Sequence, residues 1–131
     1  MVDCVASELL LPAEPGGLHV ARAYAQQAGT AFGLDAEACD DFALAANEAV
    51  TNAIRHGAPD EHGHIHLSVA SDSDRLTFAV RDHGTFAPRA RDPSRIYEGG
   101  RGMAIMASVM DEVQICIKPG STTVQLCKAR G

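Results

Sequence analysis

The sequence predicts an α+β fold, a two-layer α/β sandwich in which a mainly antiparallel sheet carries its helices on one face. Two stretches with apolar residues at helical spacing precede runs that alternate apolar and polar residues. Short turns join the alternating runs in pairs, and strands joined in this way pair antiparallel. The length of 131 residues suits one domain, since domains most often have about 100–150 residues. We therefore expect residues 1–131 to form a single domain.

The first half of the chain contains one strand pattern and two helix patterns. Residues 2–11 are apolar and stop at a proline, which is typical of an edge strand. Residues 17–32 have alanines and larger apolar residues at helical spacing, and Gly33 ends this helix. Asp35 is a suitable N-cap for a longer helix with a wide apolar stripe, which we expect to end near His56.

The second half contains four strand patterns and one short helix. Two hairpins are expected, one across a turn rich in Asp and Ser and one across a Pro-Gly turn. The predicted strands are residues 64–70, 75–81, 112–117 and 122–127. Between the hairpins lie an irregular segment, 83–99, and a short helix, 102–110. The predicted element order is therefore β-α-α-β-β-loop-α-β-β.

Charge and composition exclude several functional classes. The net charge of −6 disfavours nucleic-acid binding through a basic surface. No apolar run approaches the roughly 20 residues that span a bilayer, and the first residues lack the basic start of a secretory signal. The four cysteines have neither CxxC nor zinc-site spacing, which indicates reduced thiols. We expect a cytoplasmic protein that binds no membrane and makes no direct contact with nucleic acid.

The arginines are distributed unevenly. Residues 1–74 contain twelve acidic residues and two arginines, whereas residues 75–101 contain six arginines and three acidic residues. This cluster is either a chance feature of a solvated loop or part of a site for an anion.

Three polar segments stand out against these predicted elements. Glu48, Asn52 and His56 are spaced i, i+4, i+8 along the second helix and therefore share one side of it. Such a line is either a solvated helix face or a site where side-chain oxygens hold a hard cation and the glutamate acts as a base. Asp82 and Gly84 form an Asp-x-Gly at the end of a strand, which is either a turn or a place where a ligand approaches closely.

The third segment is Gly-Gly-Arg-Gly-Met, residues 99–103, at the start of the short helix. Free N–H groups at a helix start after a glycine-rich approach can hold phosphate, and Arg101 adds donors. The alternative is a flexible connector. The segment is neither a Walker A loop nor a dinucleotide fingerprint.

The order of these three segments resembles the GHKL superfamily of ATP-binding domains, which have the Bergerat-type fold. Within it, the run Glu-Ala-Val-Thr-Asn-Ala-x-x-His-Gly from Glu48 to Gly57 resembles the N-box of the small bacterial serine/threonine kinases that act as anti-sigma factors. The resemblance covers about residues 35–127.

The resemblance implies a role for each matching residue. Glu48 would be the general base, Asn52 the Mg²⁺ ligand and Asp82 the acceptor of the adenine amino group. The other residues implied to line the nucleotide site are His56, Gly84, Gly100, Arg101, Gly102, Met103 and Thr122. Met103 is a mild departure, since many relatives have leucine or phenylalanine there.

The resemblance also implies a function and partners. The protein would be an ATP- and Mg²⁺-dependent serine/threonine kinase and anti-sigma factor that phosphorylates a STAS-type anti-anti-sigma protein and binds a sigma factor. By analogy, residues 2–11 are the expected contact of a homodimer. The alternative is a nucleotide-dependent binding module that regulates a phosphatase or a sigma factor without significant kinase activity.

Two further patterns are expected to be structural. His62, His64 and His66 recur at every second position, which could suit a metal, but we expect a polar solvent face. Met103, Met106 and Met110 follow helical spacing and are expected in the core.

Overall fold

The computed structural model describes residues 5–84 and 101–130, and its α+β architecture confirms the predicted fold class. Within these residues, five strands form one antiparallel sheet in the order β1-β2-β3-β5-β4. The strands are β1 (Val5–Pro12), β2 (His64–Ser71), β3 (Arg75–Asp82), β4 (Glu112–Lys118) and β5 (Ser121–Ala129). The helices are α1 (Gly17–Phe32), α2 (Ala36–His56) and α3 (Arg101–Val109).

The end of α1 and the start of α2 are set by local sequence chemistry. Gly33 closes α1 in the left-handed conformation, with φ of 102°, and its N–H donates to the carbonyls of Gly29 and Thr30. Glycine adopts this conformation without a steric penalty. The Asp35 side chain caps α2 by accepting from the Ala38 N–H at 2.8 Å.

The core lies between the helices and one face of the sheet, which we call the inner face. Phe42 of α2 meets Phe78 of β3 edge to face, with ring centroids 5.9 Å apart, and both are fully buried. The predicted apolar stripe of α2 is confirmed, because it supplies buried residues along its length: Phe42, Ala45, Ala46, Ala49, Val50 and Ala53. Met106 and Met110 of the predicted methionine stripe are also buried, and the side chain of its third member, Met103, lies outside the described part of the chain.

The strand order places the last strand inside the sheet. β5 lies between β3 and β4, so Asp82 at the end of β3 is opposite Thr122 at the start of β5. β1 lies at a sheet edge, as its sequence predicts. His64 and His66 alternate with buried apolar residues of β2, so they lie on the opposite, outer face of the sheet. In the described part of the chain, no helix is long and apolar enough to cross a membrane.

Candidate functional site

A buried carboxyl group lies at the end of β3. Asp82 is only 5% exposed, and its Oδ1 accepts the Gly84 N–H at 2.7 Å and the Ala58 N–H at 3.4 Å. Burial raises the pKa of this carboxyl above its ordinary value, and the two backbone donors offset part of that rise. Aspartate is rarely buried without a charged partner, so this position is unusual for a purely structural residue.

Two glycines give the Asp82 carboxyl its space. A Cβ at Gly57 would lie 2.5 Å from both Cγ and Oδ2 of Asp82, and a Cβ at Gly84 would lie 2.8 Å from Oδ1. Gly57 has φ of −91°, which any residue can adopt. The glycine that ends α2 is therefore required for close approach to Asp82 rather than for its backbone conformation.

A second buried polar group faces the same side of the sheet. Thr122 is 5% exposed, and its Oγ1 is buried with no hydrogen-bond partner among the described residues. Most buried polar side chains are hydrogen-bonded, so an unpaired hydroxyl requires an explanation. Thr122 is the register partner of Asp82. An unpaired hydroxyl beside a glycine-lined carboxyl fits a site for a polar, flat ligand such as a nucleobase.

The line of polar residues on α2 is present as predicted. Glu48 and Asn52 are half-buried, and neither side chain forms a hydrogen bond with the described residues. His56 is exposed at the end of the helix, next to the Gly57 that packs on Asp82. The helix therefore leads from the carboxylate and amide oxygens of Glu48 and Asn52 to the Asp82 carboxyl, and those oxygens are suitable ligands for Mg²⁺.

The predicted phosphate segment is described in part. Arg101, Gly102 and Met103 form the first turn of α3, and Gly100 lies outside the described residues. Three of the six arginines of the predicted cluster, Arg89, Arg91 and Arg95, also lie outside the described residues. α3 packs against α2, the helix that carries Glu48 and Asn52.

The structure thus brings Asp82, Gly84 and Thr122 together and adds groups that the sequence did not indicate. The Ala58 N–H holds the carboxyl, and the Ala58 carbonyl accepts the His83 N–H at 2.8 Å. Backbone donors and acceptors carry no residue-type pattern, so no feature of the sequence could have identified Ala58.

Known proteins resemble this chain along most of its length. Residues 11–128 match the model of a family described as histidine kinase-like ATPase domain. The serine-protein kinase RsbW of Bacillus velezensis is 30% identical over 128 residues, with 88% of this chain and 80% of that protein covered. RsbW of Bacillus subtilis is 29% identical with the same coverage.

Two solved structures share the fold. The crystal structure of the RsbU and RsbW domains of a Mycobacterium tuberculosis protein aligns with a TM-score of 0.73 at 21% identity. The alignment covers 97% of the present chain and 33% of the Mycobacterium tuberculosis chain. The SiaB–SiaC complex of Pseudomonas aeruginosa aligns with a TM-score of 0.59 at 10% identity, covering 95% of this chain and 89% of that chain. The chain therefore belongs to the family of histidine kinase-like ATPase domains, among relatives named serine-protein kinase RsbW.

Proposed function

We propose that the protein is an ATP-dependent serine/threonine protein kinase that acts as an anti-sigma factor. Its substrate would be a STAS-type anti-anti-sigma protein, and its regulatory target a sigma factor. The observation that carries the proposal is the buried Asp82–Thr122 pair, with its glycine-lined carboxyl and unpaired hydroxyl. The RsbW serine-protein kinases among the relatives support the reaction class.

The adenine ring of ATP fits the Asp82 end of the site. The Oδ1 of Asp82 is occupied by two backbone donors, and Oδ2 forms no hydrogen bond with the described residues. A carboxylate oxygen accepts hydrogen bonds, and the exocyclic amino group of adenine donates them. Thr122 Oγ1 can donate or accept, so the base would satisfy both buried groups.

The phosphates would extend from this base site toward the polar face of α2. Mg²⁺, when bound, would neutralise phosphate charge and orient the terminal phosphate, with Asn52 as its protein ligand. The backbone N–H groups of Gly100 and Gly102, together with Arg101, would hold phosphate oxygens, and His56 and Met103 would line the same space.

Glu48 would act as the general base. In the transfer step, the acceptor's hydroxyl oxygen forms a bond to the γ-phosphorus while the bond from that phosphorus to the β,γ-bridging oxygen breaks. ADP is the leaving group, and the hydroxyl proton passes to the Glu48 carboxylate. Positioning and charge neutralisation supply most of the rate enhancement in this class of reaction.

The substitution Glu48→Gln tests this assignment, because it keeps the side-chain shape and removes the base. We expect phosphate transfer from labelled ATP to a purified STAS-domain protein of the same genome to fall at least about 100-fold, within the usual range for general-base catalysis. ATP affinity should remain within about threefold of wild type. Arg55→Gln, an exposed position on the same helix, is the matched control and should transfer normally.

Two outcomes would contradict the proposal at different points. Normal transfer by the Glu48→Gln variant would show that Glu48 is not the base. A wild-type protein that binds ATP but transfers no phosphate would instead be the nucleotide-dependent binding module, which regulates a phosphatase or sigma factor by contact.

A homodimer is also proposed, with β1 as the contact. β1 lies at the sheet edge, and its Leu10 is 53% exposed. An unpaired strand edge with an exposed apolar side chain is a natural site for association. Light scattering at low and high protein concentration should give the mass of a dimer, and a monomer mass at both would refute this contact.

A further inference from the structure

A short loop controls the surroundings of the Asp82 carboxyl. We call residues 57–63, which connect α2 to β2, the base loop. Its Ala58 N–H donates to Asp82 Oδ1 at 3.4 Å, and the His83 N–H donates to the Ala58 carbonyl at 2.8 Å. Gly57 packs directly on the same carboxyl. Displacement of the base loop would therefore remove one of the two donors to Asp82 Oδ1 and the Gly57 contact, and would leave this side chain held by the Gly84 N–H alone.

The Asp60 carboxylate makes the main side-chain contacts that hold the base loop. Its Oδ1 accepts the His62 N–H at 2.8 Å and the His64 N–H at 3.0 Å. The backbone of Asp60 also bonds to the His64 carbonyl at 2.8 Å and to the Gly63 N–H at 3.0 Å. The Asp60 side chain is only 15% exposed. The Asp60 side chain thus fixes the second half of the loop and its entry into β2, together with the Ala13 N–H, which donates to the Gly63 carbonyl at 2.9 Å.

The other oxygen of Asp60 ties the loop to the sheet. Asp60 Oδ2 lies 2.9 Å from His66 Nε2, and the Arg81 guanidinium lies 3.3 Å from His66 Nδ1. A guanidinium only donates, so Nδ1 accepts and the Nε2–H donates to Asp60. His66 and Arg81 are register partners on β2 and β3. The network Asp60–His66–Arg81 therefore joins the base loop to the residue that precedes Asp82.

The electrostatics agree with an ionised Asp60. The His64 backbone donor is the largest cause that lowers the pKa of this carboxyl, followed by the His66 side chain and the His62 backbone donor. His66 faces this carboxylate from β2, and the Arg81 guanidinium contacts the other ring nitrogen of His66. His64 Nδ1 lies 3.9 Å from Asp60 Oδ1, and the His83 ring packs 5.1 Å from the His66 ring. Asp60 is therefore the acceptor for donors from the loop and from β2, and Arg81 of β3 acts on it only through His66.

We propose that Asp60 is a positioning residue for base selectivity: by fixing the base loop, it holds Asp82 where its carboxylate accepts from the amino group of adenine. This inference rests on the proposed ATP site. Adenine presents an amino donor at the position where guanine presents a carbonyl acceptor. A fixed carboxylate therefore favours adenine and repels guanine, and a site built around one hydrogen bond discriminates strongly against a base that lacks its partner.

The test compares Asp60→Ala and Asp60→Asn with a matched control at the other end of the sheet. Asp72 forms a similar turn, accepting the Asp74 N–H at 2.7 Å and the Arg75 N–H at 2.9 Å, and lies in the connection between β2 and β3. The measured quantities are the dissociation constants of Mg-ATP and Mg-GTP by titration calorimetry. The ratio of the two reports base selectivity, which a general loss of stability does not change.

We expect Asp60→Ala to weaken ATP binding about tenfold while GTP binding changes little, so that the ATP preference falls by the same factor. Asp60→Asn keeps one oxygen for the two backbone N–H groups but sets an amide NH₂ against the His66 Nε2–H, so we expect it to retain only part of the preference. Asp72→Ala should keep the wild-type ratio.

The outcomes separate this inference from the proposed function. A folded Asp60→Ala variant with the wild-type ratio overturns the positioning role alone, as does an equal loss of preference in Asp72→Ala. If Asp60→Ala does not fold, His66→Ala takes its place. An unchanged ratio of ATP to GTP affinity in that variant overturns the claim that the Asp60–His66–Arg81 network positions Asp82. A wild-type protein with no preference for ATP over GTP overturns the proposed adenine site and this inference together.

Discussion

The inner face of the β3–β5 pair contains two regions that share a backbone and differ in chemistry. In the middle, Phe78 faces Leu126, and both are fully buried. At the end, Asp82 faces Thr122, and both are 5% exposed. The apolar pair gains free energy from burial, whereas the polar pair is removed from water and is left with an unpaired hydroxyl. Folding alone does not account for a polar pair in this place, and we propose that it serves ligand binding.

The largest effect is expected in the apolar region. Phe78→Ala removes a ring that packs edge to face on Phe42 and lies 6.0 Å from the Tyr24 ring. Phe-to-Ala substitutions in cores lower the free energy of unfolding by about 3–5 kcal/mol. Urea denaturation should show a loss of this size. A loss below about 1 kcal/mol would contradict the packing of Phe78 against Phe42 and Tyr24 in the core.

In the polar pair, the substitution Asp82→Asn should mainly reduce ligand affinity, whereas Phe78→Ala mainly reduces stability. We expect ATP affinity to fall at least about 100-fold, since a charge-assisted bond to the base is lost and an amide group meets the amino group instead. In the ligand-free protein, burial raises the pKa of Asp82 above the ordinary 3.8. Its contribution to stability is therefore complete at pH below 3.8 and is lost as the pH rises through the raised value.

The Asp82→Asn variant lacks the titrating carboxyl, so its free energy of unfolding should increase relative to that of the wild type as the pH rises. Urea denaturation without nucleotide at several pH values between about 4 and 8 measures the difference. A difference that decreases with rising pH would show that the ionised Asp82 is stabilised in the ligand-free protein.

The smallest effect is expected from Thr122→Val, which keeps the shape and removes the unpaired hydroxyl. We expect the ligand-free protein to gain up to about 1 kcal/mol in unfolding free energy, because a buried polar group without a partner is removed. ATP affinity should weaken about threefold to tenfold. Thr123→Val, on the outer face of the same strand, is the control and should leave affinity unchanged. Loss of stability in Thr122→Val would indicate a hydrogen bond within the protein.

Much of the fold follows from local sequence patterns. The α1 helix covers the predicted residues 17–32 and ends at the predicted Gly33, and α2 begins after the predicted cap, Asp35. Capping and periodicity depend on neighbours in the chain, so the sequence shows them directly. The short helix is shifted by one residue, to Arg101–Val109, and the four strands of the second half are extended by one or two residues at their ends. The start of the predicted first strand, residues 2–4, lies outside the described residues.

The arrangement of the site depends on contacts that are distant in sequence. The insertion of β5 between β3 and β4 brings Thr122 opposite Asp82, and a pattern of hairpins alone does not determine that order. Likewise, Asp60 looks like an ordinary loop residue in the sequence. Its importance comes from backbone N–H groups and from His66, which only the folded chain brings to it.

The central claim is that the end of the β3–β5 pair recognises adenine. Titration calorimetry of the wild-type protein with Mg-ATP and Mg-GTP tests it most directly. We expect one ATP site per chain and binding of GTP that is at least about tenfold weaker, since the Asp82 carboxylate would face a carbonyl in place of an amino group. Absence of ATP binding at about 1 mM nucleotide, or equal affinity for the two nucleotides, would contradict it.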